Sequence, residues 1–248
     1  MSKNKELSIL GHLNELKNRL LKSVAAIIVT SIIAFIFADQ IFYVLTLPIQ
    51  GTPLIYIDIT EMIGIYMKVC LAAGIFLAMP FLVYQAIMFI APALTRREKG
   101  YVYIVLPWIF LMFVAGVAFS YFVLLPPAFR FLTTFGSDIA TPQIRIGSYI
   151  SVVTRLMLAT GVVFELPVIT TFLARIGILT SNWLARKRKW AIILAFVAGA
   201  IITPTFDPFN QILMSAPLIV LYEMSIWLAK LVQKRRAQTA LAEPSPLS

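Results

Sequence analysis

Long uncharged runs, each closed by charged residues, divide the chain. Ser23 to Ala38 lies between Lys22 and Asp39, Val69 to Thr95 between Lys68 and Arg96, and Gly100 to Phe129 between Lys99 and Arg130. Leu156 to Ala174 is broken only by Glu165, Trp190 to Phe206 follows a basic cluster, and Pro208 to Ala229 is broken only by Glu223. A membrane-crossing helix needs about 20 mainly apolar residues. The pattern therefore predicts six transmembrane helices, near residues 23–38, 69–90, 103–125, 152–174, 190–204 and 212–229. Barrel strands would show short segments of alternating polarity, whereas these runs are apolar on every face. The predicted fold class is an all-α, polytopic membrane protein.

Prolines modify that picture. Pro80, Pro107, Pro167 and Pro217 fall inside or near spans, where each removes a backbone hydrogen bond and is expected to bend its helix. The result would be a curved, concave wall of kinked helices. Span five is short: Trp190 to Ile202 is 13 residues, or about 20 Å against a hydrocarbon core of about 30 Å. Between spans, Pro48, Gly51 and Pro53 followed by Asp58-Ile59-Thr60-Glu61 predict a structured outer cap leading into a helix start. Pro126-Pro127, Gly136, Pro142 and Gly147 predict short helices and turns. Residues 1–229 read as a single membrane domain, and 230–248 as a cytoplasmic tail disordered after Arg236.

Composition agrees with the pattern. The 248 residues are 60% hydrophobic and 13% charged, too little polar surface to coat a soluble globule of this size. The net charge of +10 would suggest nucleic acid in a soluble protein, but its placement argues otherwise. Of 21 basic residues, seventeen lie before span one, between spans two and three, between four and five, or after six; the other side holds only Lys68, Arg130, Arg145 and Arg155. By the positive-inside rule both termini are cytoplasmic. Charged residues precede the first apolar run, so that run does not read as a cleavable signal peptide.

Candidate chemistry is sparse. One Cys (Cys70) and one His (His12) cannot build a metal cage. No phosphate loop and no nucleophile elbow occur. No enzyme activity, cofactor or metal is expected, and any transport energy must come from a partner or an ion gradient. Glu165 lies 10 residues from Arg175, about 15 Å deep. An ionised carboxylate there is costly, so it should be neutral, paired or facing a watery groove. Its role is a hydrogen bond to a neighbouring helix, a docking point for a partner helix, or a proton site. Glu223 reads as structural, with Lys230 about two turns away. Glu15 and Glu98 stand out on the basic side: either local ion pairs, with Arg19 at i+4 from Glu15, or receivers of guanidinium groups from an incoming peptide. A proton-coupled small-solute transporter using Glu165 is the alternative class.

Several blocks carry a resemblance. His12-Leu-Asn-Glu-Leu-Lys-Asn-Arg19, Phe89-Ile-Ala-Pro-Ala-Leu-Thr95 with Glu98, Phe119-Ser-Tyr-Phe122 with Pro126, Phe164-Glu-Leu-Pro167, and Thr203-Pro204 with Asp207 and Gln211 resemble the TatC family, six-span receptor subunits of the twin-arginine protein translocase. The resemblance runs in order along the whole chain. It implies a non-enzymatic receptor for twin-arginine signal peptides in the inner (cytoplasmic) membrane of a prokaryote, self-associating and assembling with TatA- and TatB-type single-span subunits to export folded proteins on the protonmotive force. It further implies that Glu15 and Glu98 bind the arginine pair, with Lys17, Arg19, Phe89 and Leu94 shaping the surface. Glu165 would face a concave groove and meet a partner helix, and Pro48 would belong to the outer cap. Lys17 stands where the family usually carries arginine.

Overall fold

The computed structural model describes the backbone at residues 2–49, 53–90, 96–135, 143–202 and 208–242, and side chains over 11–49, 53–89, 103–135, 143–202 and 211–234. The apolar runs fold as helices because, in lipid, only a structure that bonds its own backbone groups can cross. The elements in order are α1 (Ser2–Ile36), α2 (Ala38–Thr46), β1 (Leu54–Ile55), α3 (Glu61–Ile90), α4 (Arg96–Phe119), α5 (Leu125–Thr134), β2 (Ile144–Arg145), α6 (Ile146–Phe164), α7 (Leu166–Arg175), α8 (Ser181–Arg186), α9 (Arg188–Ile202) and α10 (Pro208–Ala242). Five helical stretches are long and apolar enough to cross a bilayer: Gly11–Ile36, Glu61–Phe89, Tyr103–Thr134, Ile146–Arg175 and Gln211–Lys234. The remaining predicted span, the fifth in order, is α9, whose 15 residues extend about 22 Å.

The prolines act unequally. Helices α3, α4 and α10 run through Pro80, Pro107 and Pro217 without interruption. At Pro167 the helix does break: Glu165 separates α6 from α7, and its amide donates to the Val162 carbonyl at 3.1 Å, a tightened turn. Pro126 and Pro127 do not end the helical stretch that starts at Tyr103. A wide helical turn over Ser120–Leu124 precedes them and they fall in the first turn of α5, where a missing N–H costs little. The tail also departs from expectation, since α10 continues to Ala242 through residues of mostly good helix propensity. Residues 243–248 lie outside the described residues.

The chain forms two compact units, Met1–Phe110 with Thr133–Thr154, and Leu111–Leu132 with Arg155–Ser248. In the first, α1 packs along α3. Small residues allow the close approach: the Thr30 hydroxyl reaches the Ala26 and Gly74 carbonyls, both at 2.8 Å, and a Cβ on Gly74 would stand 2.7 Å from the Ser31 backbone nitrogen. The segment read from sequence as a cap contains a feature the pattern did not announce, a two-stranded parallel pair with Leu54 opposite Ile144 and Ile55 opposite Arg145. Glu61 starts α3 and ties the cap together, accepting from the Ile57 amide at 3.0 Å and pairing with Arg145 at 3.1 Å. The Tyr149 hydroxyl donates to the Leu45 carbonyl at 2.7 Å. Pro48 lies beside Leu45, in the short 3-10 turn Leu47–Ile49.

In the second unit, glycine again sets the spacing between helices. A Cβ on Gly116 of α4 would meet the Thr160 carbonyl oxygen at 2.7 Å and the Gly161 Cα at 2.9 Å on α6. Helix α10 packs on α7, α8 and α9, around a core of Ala174, Leu184, Ile226 and Ala229.

Candidate functional site

Glu15 and Glu165, acidic positions that the sequence marks, fall one in each unit. In the first, His12, Glu15 and Arg19 recur at three- and four-residue spacing, which places them on one face of α1. Gln85 and Phe89, four apart, do the same near the end of α3. Arg19 donates to Glu15 Oε1 from Nε at 3.0 Å and from Nη2 at 2.6 Å. Its third contact is across helices, from Nη1 to Gln85 Oε1 at 3.2 Å. His12 Nδ1 stands 3.7 Å from Glu15 Oε2, and the imidazole stacks on Phe89 with ring centroids 4.4 Å apart.

The geometry divides the carboxylate into two unequal halves. Oε1 is held by a guanidinium that is itself oriented by a side chain 7% exposed, Gln85. Oε2 faces only His12 among the described residues, beyond hydrogen-bond distance. The group is partly exposed, so one oxygen remains able to accept from a second guanidinium, the strongest partner available to a carboxylate outside a metal. Lys17 is exposed and contributes no described contact. Leu94 lies outside the described residues; Glu98 is on α4, but its side chain is likewise outside them. The same holds for the Thr203-Pro204 and Asp207 block.

Gln85 and His12 are the members of this cluster that sequence reasoning did not place at the site. A signal existed for Gln85: it is the only amide in the run from Val69 to Ile90, and a polar group in such a run needs a partner. His12 makes a packing contact, its stack on Phe89.

Glu165 is placed differently from expectation. Its side chain is 1% exposed, and neither carboxyl oxygen has a hydrogen-bond partner among the described residues. The tight Gly116–Gly161 crossing and the break before Pro167 turn it inward, beside the Phe113 backbone. It therefore does not line an open groove in this chain. Glu223 also has a partner other than the anticipated Lys230: Arg188 of α9 grips it as a fork, Nε to Oε1 at 2.7 Å and Nη2 to Oε2 at 2.8 Å.

Fold and site together define a multi-pass, predominantly helical membrane protein with a carboxylate, Glu15, held by the Arg19 guanidinium on one helix pair. Residues 11–217 match the family described as TatC, Sec-independent protein translocase protein. Proteins of that description from Carboxydothermus hydrogenoformans and Aquifex aeolicus are 37% and 40% identical, over 94% and 92% of this chain and 96% of each relative. One from Helicobacter pylori is 42% identical over 89% of this chain and 88% of its own length. A crystal structure titled Twin Arginine Translocase Receptor TatC superposes with a TM-score of 0.79 at 41% identity, covering 89% of this chain and 99% of that one. The chain belongs to the TatC family of protein translocase components. That assignment supports the translocase reading over the small-solute transporter.

Proposed function

We propose that this chain is the receptor subunit of a twin-arginine translocase, in the cytoplasmic membrane of a prokaryote with both termini cytoplasmic. The reading is carried by one observation: a half-engaged carboxylate, Glu15, set against an oriented Arg19 and an aromatic ledge of His12 and Phe89. An incoming arginine takes the second oxygen of Glu15, and Glu98 takes the other arginine of the pair. Arg19 and Lys17 give the surrounding face a positive sign that rejects cations lacking fork geometry. Phe89 and Leu94 shape the apolar surface for the residues that follow the pair. No bond is made or broken, so no catalytic group is required.

Glu165 serves a second recognition event. A buried carboxyl with two unsatisfied oxygens is relieved by a polar donor. A single-span subunit of the TatA or TatB type, inserted beside α4 and α6, supplies that donor after local opening. Copies of the chain associate with each other in the complex, and export of folded proteins draws on the protonmotive force. Crosslinking of a twin-arginine signal peptide to the purified protein tests the first event. Glu15→Ala and Glu98→Ala should each reduce it and the double variant abolish it; undiminished crosslinking in the double variant overturns the assignment. Glu165→Ala should weaken association with the single-span subunits, and intact association and export would rule out the docking role.

A further inference from the structure

We propose that the corner joining α8 to α9 is a binding site for the phosphate headgroup of an anionic phospholipid. The observation that points there is an imbalance of charge. Arg186, Lys187, Arg188 and Lys189 are consecutive and all exposed. Arg188 is consumed by its fork on Glu223. Lys187 and Lys189 have no described side-chain contact, and Arg186 reaches only the Asn182 carbonyl of its own helix, from Nε at 3.4 Å. Three cations thus crowd one corner with no acidic counterpart among the described residues, in a chain where only 13% of residues carry charge.

The corner is held rigidly from beneath. Helix α7 ends in a closed turn through Gly177 at φ 84°, with the Ile178 amide donating to the Leu173 carbonyl at 3.0 Å. Thr180 then caps α8 by accepting from the Trp183 amide at 3.2 Å. Gln233 of α10 locks the cap, accepting from the Ser181 hydroxyl at 2.9 Å and donating to the Leu179 carbonyl at 3.1 Å. The Tyr222 hydroxyl donates to the Leu184 carbonyl at 2.7 Å. With Leu184 anchored in the core, the cationic side chains are presented from a preformed platform, which lowers the ordering cost of capturing a ligand.

Two indoles decide the class of that ligand. Trp183 lies three residues before Arg186 and is 46% exposed; Trp190 lies three after Lys187 and is 63% exposed. Tryptophan in such positions settles at the headgroup level of a bilayer, ring toward the acyl boundary and N–H toward the phosphates. A free phosphate or an acidic peptide would gain nothing from the two apolar ring bodies, whereas a phospholipid meets cation and indole together. Helix α9 strengthens the argument, because its 15 residues fall about 8 Å short of the hydrocarbon core. The bilayer thins around a short span, drawing headgroups toward its basic end. Basic clusters at that depth bind anionic headgroups with about 1 kcal/mol per cation, which is about fivefold in affinity.

The test uses the whole chain in nanodiscs of phosphatidylcholine containing a minor fraction of phosphatidylglycerol, with lipids retained on the solubilised protein counted by native mass spectrometry. Wild-type protein should retain phosphatidylglycerol well above its bulk fraction. Each of Arg186→Gln, Lys187→Gln and Lys189→Gln should lower that enrichment by about fivefold, and Trp190→Leu should lower it without any change in charge. Lys189→Gln alone, at a side chain without described contacts, gives the answer if the triple variant does not fold. Equal retention of both lipids by wild type, or full enrichment in the triple variant, overturns the proposal. So does displacement of the retained lipid by millimolar inorganic phosphate, which would make the site one for a free anion.

Discussion

Glu15 and Glu165 are carboxylates in the same apolar chain, and their surroundings are opposite. Glu15 is partly exposed and has one oxygen fully engaged by Arg19. Glu165 is sealed and has neither oxygen engaged among the described residues. The difference teaches how a membrane protein separates readiness from strain. A carboxylate at the edge of the apolar region can be oriented by an internal cation and still exchange partners, because water replaces whatever leaves. One inside it has no such substitute, so its unsatisfied oxygens cost free energy until a donor arrives.

The largest test of this contrast attacks what seals Glu165. Gly116→Leu places side-chain atoms where even a Cβ would stand 2.7 Å from the Thr160 carbonyl, so α4 and α6 must separate. A loss of about 3 kcal/mol or more is expected in thermal unfolding of the detergent-solubilised protein; a normal transition would mean that the crossing tolerates separation. Next is the engaged carboxylate. Glu15→Gln keeps the shape and removes the charge, which should weaken twin-arginine peptide binding by about 2 kcal/mol, measured by titration with a labelled peptide.

Glu165→Leu should have the opposite sign on stability from a usual core change. It removes two orphaned oxygens and fills their volume, so the protein should gain about 1–2 kcal/mol while losing association with single-span partners. A destabilised Leu variant would show that the carboxyl is satisfied within the folded chain. Gln85→Leu, which frees Arg19 from its cross-helix restraint, should cost about 1 kcal/mol in peptide affinity with Glu15 intact. The smallest effect belongs to Arg188→Lys, where a fork on Glu223 becomes a point contact at an exposed site, for about 0.5 kcal/mol in unfolding free energy.

Much of this molecule was legible in the order of its residues. Span positions follow from run length and apolarity, both local quantities, and the shortness of α9 was visible in the 13 residues from Trp190 to Ile202. The sequence marked Pro167 as a place where the helix would bend, and there the helix breaks, at Glu165. Pro80, Pro107 and Pro217 carried the same local signal, yet α3, α4 and α10 remain continuous through them. The Glu15 and Glu165 positions were marked by the scarcity of charge, and the TatC resemblance by blocks that survive in order along the chain.

What each carboxylate touches was decided only in three dimensions. Gln85 lies 66 positions from Arg19, and Glu223 chose Arg188, 35 positions away, over the nearby Lys230. The pairing of Leu54–Ile55 with Ile144–Arg145 joins loops on either side of three helices. Partners of this kind depend on which helix faces meet and how closely glycine lets them approach. Hydrophobic run length determines that a segment enters the membrane; the helix-to-helix packing, set by Gly74 against Ser31 and Gly116 against Gly161, determines which polar groups find one another there and which are left waiting.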